Sequence, residues 1–353
     1  MSMHLHPLEK ILERKASTHR SNFPNTTIDY CTLYKGLVQH LRSNIYKDVD
    51  AGLAANSVEH GLYTAHNSEH FDEVVLYAGE LLGVEDGSED LEQLSPYELY
   101  VLLVAIRIHD AGNIHGREEH EKKCFTVLRN CGAAAGDDDA EKKIIGSIAQ
   151  AHGGKTPSGD KDTIGTLEQS YGISRVRIRP RLIASIVRFA DEICESRRRA
   201  SNYLLQYGQM PKHSELFHRY AASITESSIT MSDRRISLRY TVKLTDAIQA
   251  WGCSVTGNKR ESFIIEEILE RLEKMNRERK YCNRFSKEIY TIDEIRASIE
   301  VVNEDFDIVH QIPVPGLFDC GYPDNDGDHL KKRLAQYCGP DFWKSYLTDG
   351  KGK

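Results

Sequence analysis

Histidine and aspartate carry most of the chemical interest in this chain. It holds 15 histidines, more than its 10 phenylalanines or 10 prolines, and only 2 tryptophans. Seven lie between residues 60 and 152: His60, His66, His70, His109, His115, His120 and His152. Imidazole is a ligand for borderline transition metals and carboxylate for harder ones, so clustered His and Asp point first to metal chemistry. The sharpest pair is His109-Asp110, at the end of the apolar run LYVLLVAIRIHD and just before Gly112. Helix neighbours project about 100° apart, so both reach an ion only if it sits beside the helix end. There the aspartate could bridge two ions. The pair equally suits a plain helix terminus, with imidazole stabilising the last carbonyls and Asp capping the next turn. Upstream, His66 and His70 stand four residues apart, ahead of the apolar stripe Val74, Val75, Tyr77 and Ala78. Downstream, Asp191 and Glu192 interrupt the apolar LIASIVRFADEI. A buried carboxylate is costly unless paired or metal-bound, and Arg188 on the same helix is the competing partner for Asp191.

The elements that must position these residues read as helices. FDEVVLYAGELLG, SPYELYVLLVAIRIHD, EEHEKKCFTVLRN, DAEKKIIGSIAQAH and RPRLIASIVRFADEI repeat apolar residues at helical spacing. Ser95, Pro96 and Glu98 form a capping box with proline at the first helical position, and Arg179-Pro180 opens another helix in the same way. Residues 1–59 form a polar helical segment and residues 60–225 the domain that carries the histidines. From 226 the pattern changes. SSITMSDRRISLRYTVKL alternates around Asp233-Arg234 as a hairpin does, 261–289 reads as a long amphipathic helix, and IRASIEVV and FDIVHQIPV are short strands. The expected fold is mostly α, a helical bundle with a smaller C-terminal α+β appendage over 226–353. The DNDGD turn near the C-terminus lacks the full ligand spacing and terminal Glu of a calcium loop, and reads as a solvated turn.

Composition narrows the classes. Charged residues make up 28% and hydrophobic ones 40%, a globular balance that excludes disordered and fibrous chains. A net charge of −7 supplies no overall field toward nucleic acid or anionic membrane. No apolar run approaches a membrane span, and MSMHLHPLEK becomes charged too early for a secretory signal, so a cytoplasmic location is expected. Eight scattered cysteines without a C-x-x-C pair read as reduced and mostly buried.

The order His70, His109-Asp110, His120, His152, Asp191 resembles the H…HD…H…H…D signature of the HD superfamily of metal-dependent phosphohydrolases. The flanking text agrees: E-H-x-x-x-V at His70, I-H-D-A-G-N at the pair, G-R-E-E-H at His120, A-H-G-G at His152 and F-A-D-E-I-x-x-S-R at Asp191. The resemblance covers about residues 60–225. It implies a helical bundle in which His70, His109, Asp110 and Asp191 hold one divalent metal, while His120 and His152, with Asp110 bridging, can hold a second or, as in HD enzymes that work with one ion, serve as acid or substrate ligands. Mn, Fe, Ni, Co or Zn suit such ligands, with Mg admitted. Asp110 would then serve catalysis by bridging the ions and activating water.

Further residues suit substrate contact. His115, between the pair and His120, is placed to protonate a leaving oxygen; Arg117 and Lys155 could grip phosphate, and Arg198 is the choice among the three consecutive arginines. Arg117 equally suits a helix-surface pair with His120 or Glu121. Asn113 and the single His152 depart from the HD-x-G-K and paired-histidine motifs of cyclic-dinucleotide phosphodiesterases. The gap from His70 to His109 and the long C-terminal extension are similar to deoxynucleoside triphosphate triphosphohydrolases, which typically lack the full six ligands. The chain also resembles HD proteins carried beside nucleotide-sensing and antiphage defence genes. The expectation is hydrolysis of a nucleotide phosphoester or phosphoanhydride, first a deoxynucleoside triphosphate, by a homo-oligomer open to a nucleotide regulator. Nucleotide phosphodiesterase, di-iron oxygenase and non-catalytic nucleotide sensor are the alternatives; nucleic acid and membrane are disfavoured as partners.

Overall fold

A computed structural model of the chain describes residues 4–49, 64, 68–116, 118–255, 258–319 and 330–348. Its centre is the most apolar helix of the sequence. Helices α1 (Pro7–Thr18), α2 (Tyr30–Leu41) and α3 (Ser68–Leu81) precede α4 (Pro96–Ile108), every residue of which is buried. After it come α5 (Cys124–Asn130), α6 (Asp139–Gln150), the short hairpin β1 (Tyr171–Ile173) and β2 (Val176–Ile178), and α7 (Pro180–Ile193). Because α4 is apolar all round, it can be stable only when covered on all sides; α1, α2, α3, α6 and α7 pack against it.

The helix starts foreseen in the sequence are the ones that align the bundle. Ser95 accepts the Glu98 amide at 3.1 Å while the Glu98 carboxylate accepts the Ser95 amide at 2.9 Å. The same carboxylate accepts from the backbone and side chain of Arg179, the residue that precedes α7, at 2.7–3.0 Å. The starts of α4 and α7 are thus tied together, and the two helices run in the same direction. Near the other end of α4, the Arg107 guanidinium is 1% exposed. It donates to Glu9 at 2.7 Å, to the Tyr34 hydroxyl at 3.0 Å and to Asp72. Burial pushes Glu9 upward, but Arg107 and the Tyr34 hydroxyl outweigh it and hold the carboxyl below its ordinary range.

The chain divides into two compact units. One comprises residues 1–55, 66–194 and 281–291, the other 56–65, 195–280 and 292–353. The N-terminal helices join the histidine-bearing unit because Leu8, Ile11 and Leu12 of α1, like Tyr34, Leu37 and Val38 of α2, are buried, and because Glu9 belongs to the Arg107 network.

The second unit is α+β. It contains α8 (Asn202–Gln206), α9 (Glu215–Ser223), α10 (Leu244–Ala247), most of α11 (Ile264–Ser286), α12 (Leu330–Arg333) and α13 (Pro340–Thr348). Strands β3 (Ile224–Thr230) and β4 (Arg235–Lys243) form the expected hairpin, with Arg234 left-handed at φ 49°. β4 alternates by period two, burying Ile236, Leu238, Tyr240 and Val242. It pairs in parallel with β7 (Glu294–Val302), which in turn pairs antiparallel with β8 (Ile308–Ile312) and β9 (Leu317–Phe318). The foreseen helix 261–289 is shorter, because its first residues belong to β6 (Asn258–Phe263), paired with β5 (Ala250–Val255). Cys31, Cys124, Cys131, Cys194, Cys253 and Cys282 are free and buried; Cys338 is free and partly exposed. Among the described residues no helix is long and apolar enough to cross a membrane.

Candidate metal centre

Every ligand of the expected set comes from the edge of an element. His70 sits in the first turn of α3, His109 and Asp110 follow α4, His152 follows α6, and Asp191 lies in the last turn of α7. His120 opens a short 3-10 turn over residues 120–123, where the sequence pattern suggests continuous helix. The break has a cause. Glu119 takes a left-handed φ of 50°, and Gly112 brings its turn against the His120 carbonyl, where a Cβ would stand 2.0 Å from that oxygen. Only glycine allows this approach, which sets His120 beside Asp110.

The six side chains form two groups that share one residue. His70, His109, Asp110 and Asp191 make one, and Asp110, His120 and His152 the other, with the ligand atoms of each within 4.8 Å of one another. Asp110 turns Oδ2 to His70 Nε2 at 3.8 Å and His109 Nε2 at 3.7 Å, and Oδ1 to His120 Nε2 at 2.8 Å and His152 Nε2 at 3.6 Å. Asp191 Oδ1 stands 3.3 Å from His70 Nε2 and 3.5 Å from His109 Nε2. Two ligands each about 2.1 Å from a shared ion lie roughly 3–4 Å apart, so most of these spacings suit common ligation better than hydrogen bonding. His109 Nε2 is buried and makes no hydrogen bond. The residues therefore could hold a metal ion; DNDGD, at 324–328, lies outside the described residues.

The far side of each imidazole is also engaged. His109 Nδ1 donates to the Ile106 carbonyl at 2.7 Å and His152 Nδ1 to that of Ala149 at 2.6 Å, which presents both Nε2 lone pairs inward. His120 Nδ1 faces Glu121 Oε2 at 3.4 Å, and His70 Nδ1 faces Cys194 Sγ at 3.6 Å, a thiol that also reaches Glu73. The sequence marks Glu121 only as a partner for Arg117 and Cys194 only as a buried thiol; adjacency to His120 is the one signal that points to Glu121 as its neighbour. Burial lowers the pKa of His109, but the Asp110 and Asp191 carboxylates outweigh it and raise it to about 9. Burial pushes Asp191 up, yet His109 and His70 hold it well below the carboxylate range. Burial lowers His152. Among the six ligands the Asp191 side chain is the most open, at 26% exposed against 3% for Asp110.

The remaining expected contacts are scattered. Arg188 turns to Lys161 O at 3.1 Å and Thr163 Oγ1 at 2.8 Å and stacks 4.6 Å from the Tyr281 ring, so Asp191 answers the histidines in place of a simple helix-face pair with it. His115 is exposed at the end of the turn Ala111–His115. Lys155 is exposed on the loop after His152, beside a cavity of about 450 Å³. Arg198 is exposed in the Arg197–Arg199 turn of the second unit. Arg117 and His66 lie outside the described residues.

A protein-family model described as HD-CE matches residues 60–274, which include all six ligands. No curated protein and no solved structure matches the chain.

Proposed function

Because the chain belongs to the HD-CE family and carries an HD-type domain, we propose that the six-residue cluster is the active centre of a metal-dependent phosphohydrolase acting on a nucleotide phosphoester or phosphoanhydride. A deoxynucleoside triphosphate is the first substrate to assay. The observation that carries the reading is Asp110, whose two oxygens face two different sets of imidazoles. One or two divalent ions held by these residues would acidify water and neutralise charge at phosphorus. His70, His109, Asp110 and Asp191 would hold one ion, and Asp110, His120 and His152 the other.

The chain's own residues do the rest. The Ile106 and Ala149 carbonyls keep the protons of His109 and His152 on Nδ1, away from the reacting groups. Burial of Asp110 and His109 excludes bulk water from the inner face of the centre. Arg117, Lys155 and Arg198 are assigned to phosphate, and His115 to the leaving oxygen as proton donor. Self-association through the α+β unit, with a nucleotide regulator, belongs to the same proposal.

The test is a panel of deoxynucleoside triphosphates, cyclic nucleotides and short oligonucleotides assayed with Mn, Fe, Co, Ni, Zn and Mg, products being separated by chromatography. Tripolyphosphate release supports the first choice, and a linearised nucleotide moves the reaction to phosphodiester cleavage. Oxygen consumption without phosphorus–oxygen cleavage overturns the proposal.

A further inference from the structure

The cavity beside the second histidine group has a definite chemistry. It adjoins that group through the chain: Glu121 follows His120, and Ala151 and Gly153 flank His152, all three lining it. Glu121 joins the two spaces physically. Its Oε2 lies 3.4 Å from His120 Nδ1, while its Oε1 lies where a Cβ on Gly154 would stand, 2.5 Å away. Another part of the lining is fixed in place. Thr163 Oγ1 donates to Ala151 O at 2.8 Å, and Arg188 holds Lys161 O and Thr163 from α7.

Volume and charge narrow the occupant. About 450 Å³ falls in the range of roughly 300–1,000 Å³ typical of small-molecule sites, far above the space of one water. Two cations line it, Lys122 and Lys155; Lys122 is paired with Glu119 and the Glu121 carboxylate also lines it, so the lining carries little surplus positive charge beyond Lys155. A polyphosphate calls for a surplus of cationic donors. This lining instead offers amide and hydroxyl groups, as in Gln150 and Thr156, beside the apolar surface of Pro157 and Leu167. Such a mixture suits an uncharged, hydrogen-bonding ring system.

We propose that this cavity binds the neutral nucleoside part of a nucleotide, sugar and base, beside the centre that holds its phosphates. The inference rests on the phosphohydrolase reading above. The Gly153→Val variant places a side chain in the cavity, since a Cβ there meets only Glu121 Cβ, at 4.0 Å. The Gln150→Ala variant removes an exposed lining amide without touching the fold.

The experiment is calorimetric titration of metal-loaded, full-length protein with each of the four deoxynucleosides, and separately with tripolyphosphate as a competitor. At least one deoxynucleoside should bind, about tenfold more weakly in each variant, and tripolyphosphate should leave that binding in place. Displacement by tripolyphosphate, or no nucleoside binding while nucleotides are hydrolysed, overturns the cavity assignment. Nucleoside binding that weakens in both variants, in a protein that turns over no nucleotide, sustains the cavity and sinks the phosphohydrolase reading alone.

Discussion

Two buried polar clusters meet at the end of α4, one residue apart in sequence, and they are built on opposite plans. Around Arg107 the charges answer one another: its guanidinium meets the carboxylates of Glu9 and Asp72 and the Tyr34 hydroxyl, and Asp72 also accepts from Arg42 at 2.8 Å, all at hydrogen-bonding distances. Around His109 and Asp110, four imidazoles turn nitrogen toward two carboxylates, mostly at 3.3–3.8 Å. The first cluster supplies its own cation. The second gathers donors of the kind that bind a cation from outside. Burial alone therefore does not mark a functional site; the spacing and chemical type of the partners do.

The contrast can be broken from either side. Replacing His109 and Asp110 together by Ala should cut turnover by at least about 10³-fold, the scale of losing a preorganised electrostatic centre. It should also abolish metal binding measured by elemental analysis, while circular dichroism shows a folded chain; full activity in that variant would refute the site. Arg107→Met should do the reverse. It leaves Glu9 buried without its cation and should cost about 3–5 kcal/mol in urea unfolding, with ligand residues intact. Chelation sharpens the difference. At free metal 100-fold above Kd, removing the ion should lower stability by about 2.7 kcal/mol; the double-Ala variant should show no such loss in calorimetry.

The smallest effect is on pH. Glu9 and Asp72 are held below their ordinary values of 4.5 and 3.8, burial being outweighed for Glu9 chiefly by Arg107 and for Asp72 by His6 and Arg107. The stability they contribute is thus complete above about pH 4.5 and is lost as pH falls through their lowered folded values. The stability gap between wild type and Glu9→Gln should narrow below pH 4.5 in urea titrations. A gap that widens there contradicts the ion-pair account.

Much of the centre was legible because its ligands fall at helix ends, where capping and periodicity leave marks. Ser95-Pro96 and Arg179-Pro180 located the starts of α4 and α7, and the apolar run to Ile108 located the end that carries His109-Asp110. The helix broken before His120 was not legible, since it follows from a contact between Gly112 and a carbonyl eight residues on. Nor was the joining of α1 to the histidine-bearing unit, which depends on Glu9 meeting Arg107 across 98 positions. The contacts of Glu121 with His120 and of Cys194 with His70 escaped for a similar reason, as they depend on how side chains turn after packing. In the second unit, alternation revealed β3, β4, β7 and β8, whereas β6 was hidden inside an amphipathic pattern that continues into α11.

The carboxylate of Glu98 acts as the zero mark of a ruler. From it, eleven residues of α4 lead to His109, and from Arg179, twelve residues lead to Asp191, a span of about 16–18 Å on each helix at 1.5 Å per residue. A single residue inserted into either helix between these marks would swing its ligand about 100° around the axis. Between these marks α4 and α7 are therefore held to a fixed length as well as to a fixed packing.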